Sequence, residues 1–384
     1  MSYFKEQLKK IKQDNLFRSI PKIENGWAKY VKIEGKSYLN LASNNYLGLA
    51  ESDYLKNAAE EAIKRYSCSS SASRIVTGNY TIYDELEDML AKFKGTQKAL
   101  VFNTGYVANL SIISSICTSE CVIFSDKLNH ASIIDGILLS KARFVRFRHR
   151  DLDHLLFFLK KYKESKQKLI VTDSIFSMDG DLAKLDEIVK LAKEYNALTI
   201  IDEAHATGVF GEGKGLVHQM GLEKEVDIQM STFSKALGSF GAFVASRSEI
   251  IDFLINKARG FIYSTSLPPA VIAASKAAVE FVIKHKEIGR QLLEKSERIR
   301  SFLKKLGFDT ANSNSQIIPI IIGDKEKLFK VKEFMMEKGI LVAAIRPPTV
   351  PRNTERLRIS MRADLDDNDI KKIENAFLEL KRWI

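Results

Sequence analysis

The chain has 384 residues, 45% of them hydrophobic and 28% charged, a composition that indicates a globular protein and excludes a disordered or collagen-like one. Lysine and arginine number 59 against 48 acidic residues, so the formal net charge is +11. This excess suits nucleic acid, an anionic membrane surface or an anionic substrate, and equally a lysine-rich solvated surface. The length predicts two or three folding units.

Three features of the sequence predict a cytoplasmic location. The first ten residues carry charges where a signal peptide needs an apolar core. No window holds 18 uninterrupted apolar residues, so we expect no membrane span and no membrane partner. Three cysteines (Cys68, Cys117 and Cys121) do not make a disulfide framework, which indicates a reducing compartment.

Helical and strand patterns alternate along most of the chain. A short polar helix and a hairpin at residues 27–31 and 35–41 come first; helical patterns such as 83–93 and 182–196 follow, with short apolar runs between them. The runs lie at residues 99–102, 121–125, 144–147, 169–172, 198–202, 228–233 and 242–245. Most are too short for helices and several lack a polar face, which favours a mainly parallel sheet in a doubly wound α/β domain.

The pattern changes after Pro268 and Pro269. Helical periodicity continues to about residue 305, and strands are predicted at residues 317–322, 340–344 and 356–360. This indicates an α+β C-terminal domain. The chain is therefore divided into an N-terminal segment of helix and hairpin (1–42), a large domain (43–275) and a C-terminal domain (276–384).

The strongest local feature is Lys235, in the segment 231–238 (STFSKALG) that follows an apolar strand. A lysine flanked by hydroxyls and glycine can form a Schiff base with an aldehyde cofactor, while its neighbours bind a phosphate. Loops of this composition also occur as ordinary turns. Lys235 alone therefore does not decide between the two interpretations.

An acid, Asp202, ends the apolar strand 198–202, where side chains face the crevice of an open α/β sheet. A carboxylate in that place is costly without a positive partner, and a protonated pyridine nitrogen would be one. His205, three residues on, would reach the phenolic oxygen of such a ring. The alternative is that Asp202 caps the next helix.

Two further strand ends carry candidate cofactor-binding residues. Gly105 lies in a strand–turn–helix segment, 102–109 (FNTGYVAN), whose free N–H groups suit a phosphate, although many such loops bind nothing. His130 follows the strand 121–125 and would stack on a cofactor ring or serve as a structural group. A lysine, an acid, a phosphate-type turn and a histidine, all at strand ends, are typical of pyridoxal 5′-phosphate (PLP) enzymes.

The chain resembles the α-oxoamine synthases over nearly its whole length. The motifs that carry the resemblance are 43–49 (SNNYLGL), 129–132 (NHAS), 176–181 (FSMDGD), 202–205 (DEAH) and 263–266 (YSTS). The resemblance implies an aspartate-aminotransferase-like, fold type I PLP enzyme. Such an enzyme has a large domain with a mainly parallel seven-stranded sheet and a smaller α+β C-terminal domain.

One stretch points to a branch within that family. The segment 344–351 (AIRPPTVP), followed by 355–358 (ERLR), is similar to the branch that condenses L-alanine with a pimeloyl thioester. The branches that use glycine or serine usually lack this proline-rich stretch. The resemblance leaves open whether coenzyme A or acyl carrier protein delivers the acyl group.

The resemblance also implies roles at the cofactor. Lys235 would bond the PLP aldehyde and act as the base at the amino acid Cα, and Asp202 would pair with the pyridine nitrogen. His205 would contact the ring oxygen and His130 would stack on the ring. The remaining cofactor contacts are implied for Gly105, Tyr106, Thr232 and Ser177, and for Ser264 and Thr265 reaching from the neighbouring subunit of a homodimer with shared sites.

Substrate contacts follow from the same resemblance. Arg358 would anchor the amino acid carboxylate, a bidentate task that suits a guanidinium, with Asn44 nearby. The acyl substrate would contact Arg18 and Thr349, with Arg346 assisting.

Two positions depart from the family pattern. Residues 67–73 (SCSSSAS) replace a stretch that is often rich in glycine, which bears on how closely the backbone can approach its neighbours there. Asp173 stands where a glutamate is common, and the shorter side chain leaves its role open.

A different class of function is a nucleic-acid or anionic-surface binder, suggested by the segment 141–150 (KARFVRFRHR). Its partial alternation of basic and apolar residues also predicts a half-buried edge strand protected by charge. No helix-turn-helix, zinc-finger or RNP-like pattern accompanies it, so we expect no nucleic-acid partner. Cys117 and Cys121 lack a second pair of ligands, so we predict no metal site.

Overall fold

The computed structural model describes residues 2–13, 16–18 and 20–383. Up to the middle of the chain the elements are α1 (Ser2–Gln13), β1 (Tyr30–Ile33), β2 (Lys36–Asn40), α2 (Asp53–Tyr66), α3 (Thr81–Lys94), β3 (Lys98–Phe102), α4 (Gly105–Ile116), β4 (Cys121–Asp126), α5 (Ala131–Ser140), β5 (Arg143–Phe147), α6 (Leu152–Lys161) and β6 (Gln167–Asp173). A single 3₁₀ turn covers Leu49–Glu51.

The second half continues the alternation and then becomes richer in helix. Its elements are α7 (Leu185–Glu194), β7 (Leu198–Asp202), α8 (Leu216–Gln219), β8 (Ile228–Thr232), β9 (Ala242–Ser246), α9 (Ser248–Lys257), α10 (Arg259–Ile262), α11 (Pro269–Lys284), α12 (Ile288–Lys305), β10 (Ile317–Ile321), α13 (Lys325–Glu337), β11 (Ile340–Leu341), β12 (Ala343–Ile345), β13 (Arg356–Ser360) and α14 (Asp367–Trp383). Among the described residues, no helix combines the length and apolarity that crossing a bilayer requires.

The central sheet has seven strands in the order β3-β9-β8-β7-β6-β4-β5. Strand β9 runs antiparallel to both of its neighbours, β3 and β8, and every other neighbouring pair is parallel. Each of the seven predicted apolar runs overlaps one of these strands. The prediction of a mainly parallel sheet is confirmed.

Helices cover both faces of this sheet. Successive residues of a strand point to opposite faces, so Ile123 and Phe124 of β4 enter different clusters of buried apolar residues. On one face lie α4, α5 and α9, through residues such as Ile112, Ile133 and Leu254. The other face packs against helices that include α7 and α11, and its cluster continues under α12 to α14. Burial on both faces explains why the sequences of these strands are nearly unbroken runs of apolar residues.

The basic segment 141–150 forms β5 at the edge of the sheet. Arg143 and Arg146 are exposed, whereas Val145 and Phe147 are buried. This is the half-buried edge strand that the alternation predicts. Exposed arginines on an edge discourage pairing with another chain, which gives these charges a structural explanation.

The C-terminal part contributes to two small sheets, and one strand prediction there is wrong. The predicted strand 340–344 is two strands, because β11 pairs in parallel with β2 of the N-terminal hairpin and β12 pairs antiparallel with β13. Val342 lies between them, where the chain passes from one sheet to the other. The predicted boundary at residue 275 falls inside α11, and the division into domains stays a prediction.

A buried ion pair joins α3 to the loop after β7. The Lys94 Nζ donates to the Glu203 carboxylate, and both side chains are completely buried. Lys94 also donates to the Thr207 hydroxyl at 3.1 Å, while Glu203 accepts the backbone N–H of Val217 at 2.9 Å. Both charges are therefore paired and hydrogen-bonded, as a buried ion requires. The pair fixes the residue that directly follows Asp202.

Removing one member of this pair should destabilise the fold strongly. Lys94→Met leaves the Glu203 carboxylate buried without its cation, and we expect a loss of about 3 kcal/mol in the free energy of unfolding. The matched control is Lys98→Met, because Lys98 pairs with Asp252 while both side chains are about half exposed. That control should cost about 0.5 kcal/mol or less. Urea unfolding of both variants makes the comparison, and equal losses would contradict the importance of the buried pair.

Candidate active site

The site lies where the parallel strands of the large sheet end. Strands β4, β6, β7 and β8 end at Asp126, Asp173, Asp202 and Thr232. Asp173 is directly opposite Asp202 in the register of β6 and β7. The carboxyl ends of parallel strands form the edge at which open α/β sheets bind ligands. The register therefore concentrates polar side chains at that edge.

Lys235 follows β8 in a tight loop. The loop turns at Gly238, whose φ is +62°, and a Cβ at this position would collide with the backbone of Ala50. Burial lowers the pKa of the half-buried Lys235 amine, although the negative charges of Asp202 and Asp173 oppose that shift. An amine with a lowered pKa is more readily available as a nucleophile and as a base.

Asp202 is buried and both of its carboxylate oxygens accept hydrogen bonds. One oxygen accepts the backbone N–H of Ala204 at 2.9 Å within the loop that follows β7. The alternative interpretation of Asp202 as a helix cap is wrong, because the next helix, α8, begins only at Leu216 and is capped by Gly215. The other carboxylate oxygen accepts the side-chain N–H of Asn109 at 2.8 Å. Asn109 thus supports the acid from helix α4. Its part in the site was missed from the sequence, although it lies in the predicted phosphate segment.

His205 is held by a tyrosine. The Tyr46 hydroxyl and the His205 Nδ1 are 2.7 Å apart, and Tyr46 is completely buried. Gln316 donates its side-chain N–H to the His205 carbonyl at 2.7 Å, which fixes the backbone as well. Burial lowers the pKa of His205 well below its usual range, and the cations Lys235 and Arg358 act in the same direction. The imidazole is therefore neutral at physiological pH.

Arg358 is a buried guanidinium with neutral partners only. It donates to the Ser177 carbonyl at 2.6 Å, to Asn44 Oδ1 at 3.1 Å, and to the Ser360 and Tyr46 hydroxyls at 3.0 and 3.3 Å. In the parts of the chain that the structure describes, no carboxylate lies within ion-pair distance of it. Its strand neighbour Arg356 instead pairs with Asp179 at 2.7 Å. A buried cation without a counterion calls for an anionic ligand.

His130 begins α5, and Asp173 holds its backbone. The His130 N–H donates to Asp173 Oδ2 at 2.8 Å, which gives Asp173 a role as an anchor for this residue. The His130 Nδ1 caps the helix through Ser132, with a 2.8 Å contact to the hydroxyl. Burial lowers the pKa of His130, with Asp202 opposing the shift, and raises the pKa of Asp173 well above its usual range. His130 thus has a structural role as well as a flat, neutral ring near the acids.

The predicted phosphate residues are brought together at the start of α4. Thr104 caps this twelve-residue helix by accepting the N–H of Val107 at 3.1 Å. A Cβ on Gly105 would lie 3.8 Å from the Cβ of Thr232, so the turn and Thr232 are neighbours. The Tyr106 hydroxyl donates to Asp135. A helix N-terminus next to a threonine is a suitable place for a phosphate.

Thr265, which follows Ser264, lies beside the same helix start within one chain. Asn103 donates its side-chain N–H to the Thr265 carbonyl at 2.7 Å, and Thr265 forms a β-bridge with Ser73. The serine-rich segment 67–73 therefore packs against 263–266. Two of its residues, Ser67 and Ser71, have φ angles of 70° and 56°, a region that glycine adopts at lower cost.

The three candidates for acyl contacts share one cavity. Arg18, Arg346 and Thr349 line a space of about 830 Å³. The same space is lined by Lys12, Lys330 and Lys332 and by one acid, Glu326, so its lining carries a net positive charge. Lys235 and Arg358 are not among the residues that line it. The structure thus groups the predicted acyl residues with one another, in a cavity whose lining does not include the cofactor residues.

A buried ionic cluster next to the site was not expected from the sequence. The two nitrogens of His149 lie 2.9 Å from Asp126 and 2.9 Å from Asp181. Burial alone would lower the pKa of His149, but its hydrogen bonds to the two carboxylates outweigh burial and raise the pKa to about 9. The histidine is therefore charged at neutral pH. It ties the end of β4 to the segment that carries Ser177.

This cluster predicts a pH dependence of stability. The folded-state pKa of about 9 exceeds the ordinary 6.5, so the stabilisation is complete below pH 6.5 and is lost as the pH rises through 9. We expect His149→Gln to lower the melting temperature strongly at pH 6 and much less at pH 10. His285→Gln, at an exposed histidine, is the control and should show no such trend. A difference that stays constant with pH would contradict the charged state.

Comparison with known proteins first shows the family to which this chain belongs. The sequence model of the family described as aminotransferase class I and II matches residues 36–377, and the chain belongs to this family. Solved structures agree: the serine palmitoyltransferase of S. paucimobilis with bound PLP–myriocin aldimine superposes with a TM-score of 0.92 at 30% identity, covering 99% of this chain and 97% of that one. The predicted aspartate-aminotransferase-like fold is confirmed.

Relatives of higher sequence identity indicate a branch within this family. The 8-amino-7-oxononanoate synthase of Geobacter sulfurreducens is 46% identical over 97% of this chain and 96% of its own length. A protein of Geobacillus kaustophilus described as a putative 8-amino-7-oxononanoate synthase is 48% identical over 88% of both chains. A solved 8-amino-7-oxononanoate synthase from Francisella tularensis is 26% identical with a TM-score of 0.77, covering 90% of this chain and 97% of that one. The resemblance to the α-oxoamine synthases is confirmed.

Proposed function

We propose that this protein condenses L-alanine with a pimeloyl thioester, releasing CO₂ and the free thiol carrier and giving 8-amino-7-oxononanoate for biotin synthesis. The observation that carries the proposal is Arg358, a buried guanidinium with no carboxylate partner among the described residues. Its charge matches the carboxylate of an amino acid. The choice of alanine and pimeloyl rests on the relatives of that name, which are 46% and 48% identical.

The donor set fits pyridoxal 5′-phosphate as the cofactor. Lys235 offers an amine of lowered pKa for the aldehyde, and Asp202 offers a buried carboxylate for the pyridine nitrogen. The free N–H groups of Gly105 and Tyr106, beside Thr232, offer donors for the phosphate. When bound, the cofactor supplies an electron-accepting ring that stabilises negative charge on the Cα of the amino acid.

Each residue around that ring has a separate role in the proposed reaction. Arg358 binds the alanine carboxylate and orients the Cα–H bond, and Lys235 removes the Cα proton and later returns one. Asp202 would keep a proton on the pyridine nitrogen, and His205 would donate a hydrogen bond to the ring oxygen. His130 would cover one face of the ring and exclude water from it.

The acyl substrate is assigned to the basic cavity of Arg18, Arg346 and Thr349. A pimeloyl group carries a carboxylate, and both coenzyme A and acyl carrier protein are anionic, so a lysine- and arginine-lined space suits either. We further propose a homodimer in which Ser264 and Thr265 of each chain complete the phosphate site of the other. Ser264 is half-buried and Thr265 is exposed on the single chain, which supports this contact.

Serine palmitoyltransferase is the alternative that a specific observation favours. Its solved structures superpose with TM-scores of 0.86 to 0.94, higher than the 0.77 of the Francisella tularensis protein. Sequence identity favours the opposite choice, because this chain is 30% identical to the serine palmitoyltransferase and 46% identical to the Geobacter sulfurreducens 8-amino-7-oxononanoate synthase. The backbone of a family persists through changes of substrate, whereas specificity depends on side chains. We therefore favour the alanine and pimeloyl assignment over the serine-using and glycine-using branches.

The assignment is tested by product analysis. Purified protein with PLP should release CO₂ and form 8-amino-7-oxononanoate from L-alanine and pimeloyl-coenzyme A or pimeloyl-acyl carrier protein. Glycine or serine with acetyl-, succinyl- or palmitoyl-coenzyme A should give little product. Lys235→Ala should abolish both turnover and the visible absorbance of the lysine-bound cofactor. Turnover by that variant, or a preference for serine and palmitoyl-coenzyme A, would overturn the proposal.

The role of Arg358 is tested by a matched pair of substitutions. Arg358→Lys keeps the charge but loses the planar fork, and we expect about tenfold weaker alanine binding with PLP still bound. Arg356→Lys changes a buried arginine of the same strand that already has a carboxylate partner, Asp179. It should leave alanine affinity within about twofold, since no contact to the substrate is assigned to it. Spectroscopic titration with alanine measures both, and equal effects would contradict the anchor role.

A further inference from the structure

Tyr46 lies between two functional side chains and was given no role from the sequence. It is completely buried, three polar atoms lie within hydrogen-bond distance of its hydroxyl oxygen, and the side chain of Gln316 is also close to that oxygen. The three atoms are His205 Nδ1 at 2.7 Å, Asn44 Oδ1 at 3.1 Å and a terminal nitrogen of Arg358 at 3.3 Å. Burial raises the pKa of the Tyr46 phenol, so the hydroxyl keeps its proton.

One hydroxyl proton has to be assigned among these neighbours. Arg358 can only donate, so it uses a lone pair of the Tyr46 oxygen. Asn44 Oδ1 already accepts an N–H from Arg358 at 3.1 Å, and its own 3.1 Å distance to Tyr46 is long for an O–H···O bond. The 2.7 Å distance to His205 is short and favourable. The proton therefore belongs on the line from Tyr46 to His205 Nδ1.

This assignment fixes the state of the histidine. A neutral imidazole carries one proton, and the nitrogen that accepts a hydrogen bond does not hold it. If Nδ1 accepts from Tyr46, the proton of His205 is on Nε2. The contact of Tyr46 with the positive charge of Arg358 polarises the hydroxyl and strengthens it as a donor.

We propose that Tyr46 is a positioning residue that holds His205 in the Nε2–H tautomer and links this tautomer to Arg358. The ring oxygen of PLP is electron-rich and accepts a hydrogen bond only from a protonated nitrogen. Tyr46 thereby prepares His205 as a donor before the cofactor binds. The identity of the acceptor rests on the proposed function, whereas the tautomer does not.

The tautomer can be measured directly in the full-length protein. Protein labelled with ¹⁵N at histidine is studied by NMR with and without PLP, and the His205→Asn variant assigns the signals. We expect a pyridine-type, unprotonated Nδ1 and a protonated Nε2 in both states. A protonated Nδ1 would overturn the proposal. Because this readout needs no turnover, it is independent of which substrates the enzyme uses.

A matched pair of tyrosine variants tests whether the Tyr46 hydroxyl sets the tautomer of His205. Tyr46→Phe removes the donor, so we expect the two His205 tautomers to mix, with about tenfold weaker PLP binding and about tenfold lower kcat. The KM for alanine should stay within about twofold, because Arg358 keeps Asn44, Ser177 and Ser360.

The control is Tyr83→Phe. Tyr83 is also buried, and its hydroxyl donates to the Leu267 carbonyl at 3.0 Å without touching His205. It should leave the His205 spectrum unchanged. An unaltered His205 spectrum in Tyr46→Phe, or equal changes in both variants, would overturn the proposal. A normal tautomer response in a protein that makes no 8-amino-7-oxononanoate would instead refute the proposed function alone.

Discussion

The site depends on how two buried carboxylates are compensated. Asp173 and Asp202 end neighbouring parallel strands in register, so the fold forces two acids to the same edge of the sheet. Two buried negative charges side by side are unfavourable unless cations or hydrogen bonds offset them, and burial next to Asp202 accordingly raises the pKa of Asp173 well above its usual range. Here Asp173 accepts the backbone N–H of His130, Asp202 accepts from Asn109 and Ala204, and Lys235 follows the next strand. The same compensation brings the lysine, the acid and the histidine together.

Arg358 joins the C-terminal sheet to this edge. It belongs to β13, yet its hydrogen bonds reach Asn44 near the N-terminal hairpin and the Ser177 carbonyl after β6. The guanidinium therefore ties three distant parts of the chain to one point. Because all of its partners are neutral, it serves this structural role and keeps its charge available for a carboxylate. Tyr46 extends the arrangement by connecting the arginine to His205.

The sequence predicts most of the fold, because strands buried on both faces must be apolar and their ends must be polar. It misses what depends on pairing between distant segments. The break at Val342 arises because β11 and β12 find partners in different sheets, and a continuous apolar run does not reveal that. The contact of Tyr46 with His205 spans 159 residues, and the two bonds of His149 reach acids 23 and 32 residues away. Residue type and strand-end position locate the candidates, whereas their hydrogen-bond partners need the tertiary structure.

The surplus of eleven positive charges has more than one cause. Part of it protects an edge strand, where Arg143 and Arg146 face solvent and keep β5 from pairing further. Another part lines the cavity of Arg18 and Arg346, where three lysines also gather. Charge on an edge strand needs no ligand, whereas five cations and one acid, Glu326, around a single cavity leave a net positive charge that attracts an anion. The position of the charges, rather than their number, is therefore what favours an anionic acyl substrate over nucleic acid.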